Sequence, residues 1–181
     1  MSEGTDMTEG AQDASQSEVL KRLLDRQAIT DVLARYCAGV DRLDADLVAS
    51  CYHPDATDDH GVFRGTGHDF AEHVVAVLER HADATHHQLG QVLVDFLDDG
   101  VARVESYVLA YHRIDAEAGV ELEAFGGRYL DRFEVRDGCW RIASRRVLPH
   151  WNARGPITEF FARGVFDEGA RDRDDPRYGA P

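Results

Sequence analysis

Cysteine is scarce in this sequence, and no apolar run is long enough to cross a membrane. The three cysteines, Cys37, Cys51 and Cys139, are widely spaced and lie outside any Cys-x-x-Cys pattern. Such usage is typical of small buried thiols in a reducing compartment and argues against a disulfide framework. A membrane-spanning helix needs about 20 consecutive apolar residues, which no segment supplies. Residues 1–17 lack the cationic start and apolar centre of a secretory signal, so we expect a cytoplasmic protein.

Basic residues are also fewer than acidic residues. The chain has 20 Lys and Arg residues against 34 Asp and Glu residues, a formal net charge of -14 at pH 7. Phosphate backbones and anionic lipid surfaces repel such a protein. We therefore expect neither nucleic acid nor a membrane as a partner.

The composition that remains is that of one globular domain. Hydrophobic residues make up 43% and aromatic residues 9% of the 181 residues, enough for a single core. Residues 1–17 carry four acidic side chains and no Lys or Arg, and we expect a disordered acidic tail there. Residues 18–167 are expected to fold as one domain, and residues 168–181 to form a flexible C-terminal tail.

Helical periodicity dominates the first half of the predicted domain. Between Val19 and Leu43, apolar residues recur every three or four positions, which predicts an amphipathic helix. A second helix is expected to begin near Asp44 or Asp46 and to run through "ADLVASCYH". A third is predicted over "GHDFAEHVVAVLERHA", whose apolar residues form one stripe.

The second half changes to the period of β-strands. Four β-rich segments, "HHQLGQVLVDFLDDG", "VARVESYVLAYHRID", "VELEAFGGRYLDRFEVRDG" and "CWRIASRRVLPHW", are joined by turns such as "DDG" and "RDG". They predict an antiparallel meander, which an earlier strand around "TDDHGVFRG" is able to join. The fold class is therefore α+β: a cone-shaped α+β barrel in which a curved antiparallel sheet wraps around the N-terminal helices and leaves a pocket between them.

A last amphipathic segment, "GPITEFFARGVF", has Pro156 at a helix-starting position and apolar residues at helical intervals. We expect a helix there. It is placed either to cap the mouth of the pocket as a lid or to pack on the surface or a partner.

The pocket has candidate acid–base residues on two of its predicted walls. Asp41 falls at the border of the buried face of the first helix, beside Cys37. His86 and His87 are neighbours in a strand, so they point to opposite faces and only one can reach the pocket. A carboxylate that contacts the inward imidazole would fix its tautomer and keep it basic. The structural alternatives are a solvated helix-end aspartate and a hydrogen-bonded strand histidine.

Further polar candidates come from the last strand and from two tyrosines. Arg145 and Arg146 face opposite ways, and an inward Arg145 would stabilise negative charge on a substrate or leaving group. The alternative for Arg145 is a structural ion pair. Tyr36 and Tyr129 are candidate hydroxyl donors, or simply wall residues.

Other motifs are weaker. The segment "HPDATDDHG" gathers histidines and aspartates without a regular ligand spacing, so we interpret it as a turn and expect no metal. Paired glycines in "FGGRY" predict a bulge, since no helix follows as it would in a phosphate-binding loop. No nucleotide motif and no Gly-x-Ser-x-Gly elbow is present, so we expect neither a cofactor nor covalent catalysis.

Three segments together carry a family resemblance: "RYCAGVDRLDADLVASCYHPDA", "THHQLGQVLVDF" and "GGRYLDRFEVRDGCWRIASRRV". With these, the chain resembles the SnoaL-like branch of the nuclear transport factor 2-like superfamily, over residues ~20–152. Within that branch it is similar to the group that contains scytalone dehydratase, hexachlorocyclohexane dehydrochlorinase and bile-acid 7α-dehydratase. The resemblance implies an α+β cone whose lyases use an Asp–His dyad as a base.

Carried over residue by residue, the resemblance implies that Asp41 and His87 form the dyad and that Arg145 is the third catalytic residue. His87 is thereby chosen as the inward ring. The chain departs from these family members at two positions. The dehydrochlorinase has a lysine where this chain has Tyr36, and scytalone dehydratase has a tyrosine where this chain has Val40. The predicted substrate-binding residues are Tyr36, Val40, Tyr129, Phe125 and Trp151.

These expectations combine into a functional hypothesis. The chain is expected to be a cofactor-independent, dehydratase-like lyase that removes a proton from a small, largely apolar cyclic substrate. An isomerase or polyketide-type cyclase with the same dyad is one alternative. A non-catalytic ligand-binding or subunit-stabilising member of the superfamily is another. The resemblance also implies a homo-oligomer, dimer or trimer, formed through the outer face of the sheet.

Overall fold

The computed structural model describes the backbone of residues 6–179 and the side chains of residues 16–179. Three α-helices precede or interrupt the early strands: α1 (Asp6–Asp41), α2 (Ala45–Ser50) and α3 (Gly67–His81). The strands are β1 (Tyr52–Asp59), β2 (Arg64–Thr66), β3 (Ala84–Asp98), β4 (Val101–Ala116), β5 (Gly119–Arg136) and β6 (Cys139–Pro156). A short 3-10 turn, Pro176–Tyr178, lies near the end of the described chain.

The predicted α+β class and its meander are confirmed. Over the described residues the sheet has the order β2-β1-β6-β5-β4-β3, and β3 to β6 pair antiparallel in sequence order. The sheet is curved and unclosed, so it forms an open cone and not a closed barrel. The early strand joins by pairing parallel to β6, which makes the sheet mixed.

Local sequence chemistry explains where the elements begin and end. Asp44 caps α2 by accepting a hydrogen bond from the Leu47 N–H, and Thr66 caps α3 by accepting from the Asp69 N–H. Asp137 and Gly138 both have positive φ, 51° and 74°, as the tight two-residue turn between β5 and β6 requires. The paired glycines produce the predicted bulge, since the β5–β6 register shifts between Gly126 and Gly127.

The core lies between the inner face of α1 and the concave face of the sheet. Ile29, Leu33 and Val40 from the helix are buried against residues such as Val104 and Phe133 from the strands. Because α1 and α3 cover only part of the concave face, a cavity remains between the helices, the β1–β2 hairpin and the sheet.

Near the C-terminal end of the predicted domain, the structure differs from one sequence-based expectation. The predicted helix over 155–166 is wrong: β6 continues to Pro156, because it pairs with β5 as far as Glu121, and residues 157–166 are irregular. Of the predicted tail 1–17, residues 1–5 lie outside the described residues, while α1 includes the remainder from Asp6. Residues 180 and 181 of the predicted C-terminal tail also lie outside the described residues.

The described segment that precedes residues 180 and 181 packs against the helices. Arg42 forms an ion pair with Asp175 at 3.1 Å, and Tyr178 donates a hydrogen bond to Asp44 at 3.2 Å. Among residues 6–179, no helix combines the length and the apolar character that crossing a membrane demands.

Candidate active site

The cavity under α1 and α3 has a volume of about 380 Å³ and walls that are mostly apolar and aromatic. Its histidines are the main exception to this apolar character. The lining residues include Tyr36, His60, Phe63, Phe70, His73, Val74, Leu78, His87, His112, Phe125, Tyr129 and Val147. A pocket of this size and character suits a small, largely apolar ligand that meets a few polar groups.

Asp41 and His87 are in direct contact at this cavity. Asp41 is the last residue of α1, and His87 is the fourth residue of β3. The Asp41 carboxylate accepts hydrogen bonds from His87 Nδ1 at 2.7 Å and from the His87 backbone N–H at 2.9 Å. The His87 side chain is only 10% exposed and the Asp41 side chain 20% exposed. Two bonds from one carboxylate therefore hold both the strand and the ring.

This contact determines the chemistry that the imidazole can perform. When Nδ1–H donates to the carboxylate, Nε2 carries the lone pair and is the nitrogen able to accept a proton. The carboxylate also stabilises the imidazolium that results. His86, its neighbour, is exposed on the other side of the strand, as strand geometry requires.

A second Asp–His pair, which sequence reasoning missed, has its histidine, His60, in the wall of the same cavity. Asp58 and His60 form a very short hydrogen bond through His60 Nδ1, and Asp58 also accepts from the Tyr52 hydroxyl at 2.7 Å. The His60 ring stacks on Phe70 with a centroid distance of 3.9 Å. The pair lies in "HPDATDDHG", for which the sequence predicts a turn. That interpretation is wrong because most of the segment is strand β1.

Burial sets the protonation state of His60. Desolvation lowers the pKa of His60, and the neighbouring Asp58 only partly opposes this effect. The neutral ring keeps its proton on Nδ1, facing Asp58, so Nε2 is an acceptor. The Tyr36 hydroxyl lies 3.4 Å from this Nε2 and is placed to donate to it.

Arg145 is fully buried and does not line the cavity. Its guanidinium forms a two-pronged ion pair with Asp131, Nε to Oδ1 at 2.8 Å and Nη2 to Oδ2 at 2.7 Å. It lies between two aromatic rings, 4.2 Å from the centroid of Tyr36 and 4.1 Å from that of Tyr129. The expected direct contact of Arg145 with a substrate is thus corrected: Tyr36 and Tyr129, which line the cavity, separate the guanidinium from it.

Both tyrosines stay protonated near neutral pH. Burial raises the pKa of Tyr36 and of Tyr129, and the charge of Arg145 offsets only part of that increase. Their hydroxyls are therefore hydrogen-bond donors and not phenolates. For Arg145, burial by itself lowers the pKa, but Asp131 together with Tyr52 and Tyr36 outweighs that effect and the net shift is upward.

Two of the predicted substrate-binding residues lie elsewhere. Val40 is 1% exposed within the core and is not part of the cavity wall. Trp151 is 47% exposed and pairs with Gly126, the residue after Phe125. Because Phe125 faces the cavity, Gly126 and its cross-strand partner Trp151 face the opposite side of the sheet. Tyr36, Tyr129 and Phe125 do line the cavity.

His112 is a further cavity residue that the sequence did not reveal. Its ring centroid lies 5.9 Å from that of His87, and its Nδ1 is 3.6 Å from Glu123 Oε2. His81 Nε2 contacts the same carboxylate oxygen at 2.8 Å. Burial, followed by the nearby His87, lowers the pKa of His112. No motif links these three residues, so only the strand register and the position of α3 bring them together.

Comparison with known proteins agrees with this architecture. The sequence profile of the family described as SnoaL-like domain matches residues 21–146. No curated protein matches the chain in sequence.

Three solved structures illustrate the fold. A scytalone dehydratase-like protein from Novosphingobium aromaticivorans is 22% identical, with a TM-score of 0.66 over 81% of this chain and 97% of that chain. A type 2 hexachlorocyclohexane dehydrochlorinase is also 22% identical, with a TM-score of 0.71 over 81% of this chain and 99% of that chain. The type 3 enzyme from Novosphingobium barchaimii is 21% identical, with a TM-score of 0.69 over 79% and 98%. At this level of identity the likeness shows a shared fold.

Proposed function

The chain belongs to the SnoaL-like domain family, within the nuclear transport factor 2-like superfamily, and from this premise we propose that it is a cofactor-independent, dehydratase-like lyase. Its proposed substrate is a small, largely apolar cyclic compound with a hydrogen made acidic by a neighbouring carbonyl or leaving group. The mostly apolar cavity of about 380 Å³ supports this substrate class.

The observation that carries the proposal is the hydrogen-bonded contact of Asp41 with His87 at the cavity wall. In the proposed step, His87 Nε2 takes a proton from carbon, and the electron pair of that C–H bond forms the new double bond. The leaving hydroxyl departs as water after it takes that proton from the His87 imidazolium, which returns the ring to its neutral state. Asp41 keeps Nδ1–H in place and stabilises the imidazolium through charge.

The leaving group meets the tyrosine side of the cavity. Tyr36 and Tyr129 are neutral donors whose rings are stacked on the Arg145 guanidinium. Donors that are already oriented stabilise negative charge as it develops on oxygen, at little reorganisation cost. We therefore assign Arg145 a positioning role, in which it acts on the substrate through the two tyrosines.

An isomerase or cyclase is the second candidate, and the Asp58–His60 pair favours it. His60 lines the same cavity and has its own carboxylate, so it is a second site for proton exchange. Either imidazole, by taking a proton from one carbon and returning it as the imidazolium to another carbon, would move a double bond with no loss of water. The product, not the first step, separates the two candidates.

Two further parts of the proposal concern the setting of the protein. We place it in a reducing cytoplasm, which the free Cys37, Cys51 and Cys139 support. We also propose a homo-oligomer through the outer sheet face, where Trp151, Tyr107 and Leu93 are exposed apolar side chains.

The test is turnover by the wild-type protein and by His87→Ala on a panel of cyclic β-hydroxy ketones and halogenated cyclohexanes, followed by product analysis. We expect His87→Ala to lose a factor of roughly 10²–10⁴ in rate, because the base is gone. His86→Ala is the matched control, since this exposed neighbour lies on the other side of the strand, and it should keep the wild-type rate. Unchanged turnover in His87→Ala would end the proposal.

A further inference from the structure

Beside the cavity, three potential metal ligands from three different elements converge on one point. They are His81 at the end of α3, His112 on β4 and Glu123 on β5. One donor atom from each lies within 4.8 Å of the donor atoms of the other two. None of the three takes part in the proton transfer proposed for His87.

Rigid elements hold this cluster together. His112 and Glu123 are direct partners in the β4–β5 register, so their side chains leave the same face of the sheet side by side. His81 is delivered from above by the C-terminal end of α3. Ligands on strands and helices are held more tightly than ligands on loops, which lowers the entropic cost of binding an ion.

Glu123 divides its two oxygens between different partners. Oε1 accepts a hydrogen bond from Arg154 at 3.0 Å, which orients the carboxylate from the β6 side. Oε2 faces the two imidazoles, 2.8 Å from His81 Nε2 and 3.6 Å from His112 Nδ1. Three donors of this kind around a tetrahedral zinc ion would lie about 3.4 Å apart, given metal–ligand distances near 2.0–2.1 Å. The two observed distances to Glu123 Oε2 lie on either side of that value.

The His112 ring does not use its full hydrogen-bonding capacity within the described part of the chain. Its Nε2 is buried and has no hydrogen-bond partner among the described residues. The 3.6 Å separation of its Nδ1 from Glu123 is longer than a hydrogen bond. The buried Nε2 without a partner is costly, and the loosely held Nδ1 is available to an ion.

We propose that His81, His112 and Glu123 bind a divalent transition-metal ion, with zinc as the best match. Two imidazoles and one carboxylate suit zinc and its neighbours in the first transition row, whereas magnesium and calcium prefer oxygen ligands alone. The three residues supply His81 Nε2, His112 Nδ1 and Glu123 Oε2, and a fourth position remains for water or a small ligand. Because His112 also lines the cavity, the ion lies next to the proposed reaction pocket.

Calorimetric titration of the full, tag-free chain with zinc chloride tests this site. We expect one ion per chain, and we expect His81→Ala and Glu123→Gln each to weaken binding by at least about tenfold. The His81 side chain is 41% exposed, so its replacement should leave the fold intact, as circular dichroism will show. His86→Ala is the control for adventitious binding by the nine histidines of the chain and should bind zinc as the wild type does.

A crystal of the zinc-treated protein, measured at the zinc absorption edge, gives the location independently. An anomalous peak between the three named donor atoms supports the site. Absence of one-to-one binding, equal binding by wild type and His81→Ala, or a peak elsewhere would overturn it. Because every readout is binding or diffraction, failure here leaves the proposed lyase untouched, and loss of the lyase leaves the metal site untouched.

Discussion

Among single residues, Arg145 shows most clearly how a buried charge is tolerated here. Its side chain and that of Asp131 are both 0% exposed. The two-pronged contact between these two charges, together with the tyrosine rings that flank the guanidinium, replaces contacts with water. Such a pair adds little net stability compared with apolar residues of the same size. Removing one member is costly, because the other charge stays buried without a partner.

Replacing Arg145 by Met should therefore lower the free energy of unfolding by about 3–5 kcal/mol, because Asp131 stays buried without its partner. Urea unfolding, monitored by circular dichroism, measures the change. The double variant Arg145→Met with Asp131→Leu should recover most of the loss, since neither charge remains. A loss below about 1 kcal/mol in Arg145→Met would contradict a structural ion pair.

His60 makes a specific contribution to the dependence of stability on pH. Burial lowers its pKa in the folded protein below the value near 6.5 of an unfolded histidine. As pH falls below about 6.5, the unfolded chain takes up a proton first, so the free energy of unfolding falls by up to roughly 1.4 kcal/mol per pH unit. The loss stops once pH passes below the folded-state pKa. Above about pH 7.5 the group contributes nothing.

Urea unfolding of the wild type and of His60→Gln between pH 7.5 and 5 isolates this effect, because carboxylates titrate below that window. The wild type should lose more stability across the window than His60→Gln. Equal slopes in the two proteins would show that His60 is not held neutral by burial.

The sequence predicts individual site residues unevenly. Asp41 and His87 follow from the border of a helical stripe, strand alternation and a family resemblance. The sequence does not predict Asp58 and His60 as site residues. Strand β1 has an irregular register against β6 between Tyr52 and Thr57, which obscures the alternation of inward and outward side chains. Arg145 is found, but its partner Asp131 is not, because their pairing depends on the β5–β6 register.

At the scale of elements, the segment after β6 stabilises the end of α3. Arg171 donates from Nη2 to the Leu78 carbonyl at 3.4 Å and from Nη1 to the Ala82 carbonyl. The Leu78 carbonyl already accepts the N–H of the capping residue Ala82 at 3.1 Å, and Arg171 gives it a second donor. A cation at this end of a helix also interacts favourably with the helix dipole. The irregular segment after β6 therefore caps the C-terminal end of α3.

Arg171→Ala should lower the free energy of unfolding by roughly 1.5–3 kcal/mol, the range for hydrogen bonds to a charged group. Amide exchange of residues near Leu78 should accelerate with it. Arg163→Ala provides the comparison, since its ion pair with Asp83 is exposed and worth about 1 kcal/mol or less. If both variants lose the same stability, Arg171 is not a cap.

Element types were predictable where one local signal was strong. Cap residues, Asp-Gly turns and strand alternation indicate the helices and the meander. The segment over 155–166 has equally good helical spacing, yet pairing with β5 extends β6 to Pro156, and ion pairs such as Arg113–Glu159 at 2.6 Å hold the rest irregular. Tertiary contacts therefore override the local pattern.

At the scale of the whole molecule, the exposed apolar side chains on the outer face of the sheet lead us to predict an oligomer. Trp151 packs over Gly126, where any larger side chain would collide with the indole. We predict a dimer or trimer by light scattering, and a shift towards monomer in Trp151→Glu, because a charge at the interface is costly. Val62→Glu, at a 98% exposed position of the β1–β2 hairpin, should leave the assembly unchanged. A monomeric wild type would contradict the prediction.

The proposed activity depends most on Asp41 and His87 acting as one proton-transfer unit, and the direct test is the rate of the double variant. Asp41→Asn, His87→Ala and their combination are compared on the best substrate of the panel. Residues that act together are not additive, so the double variant should lose the same factor as His87→Ala alone, roughly 10²–10⁴. A double variant that loses the product of the two single factors would show independent residues and contradict the account.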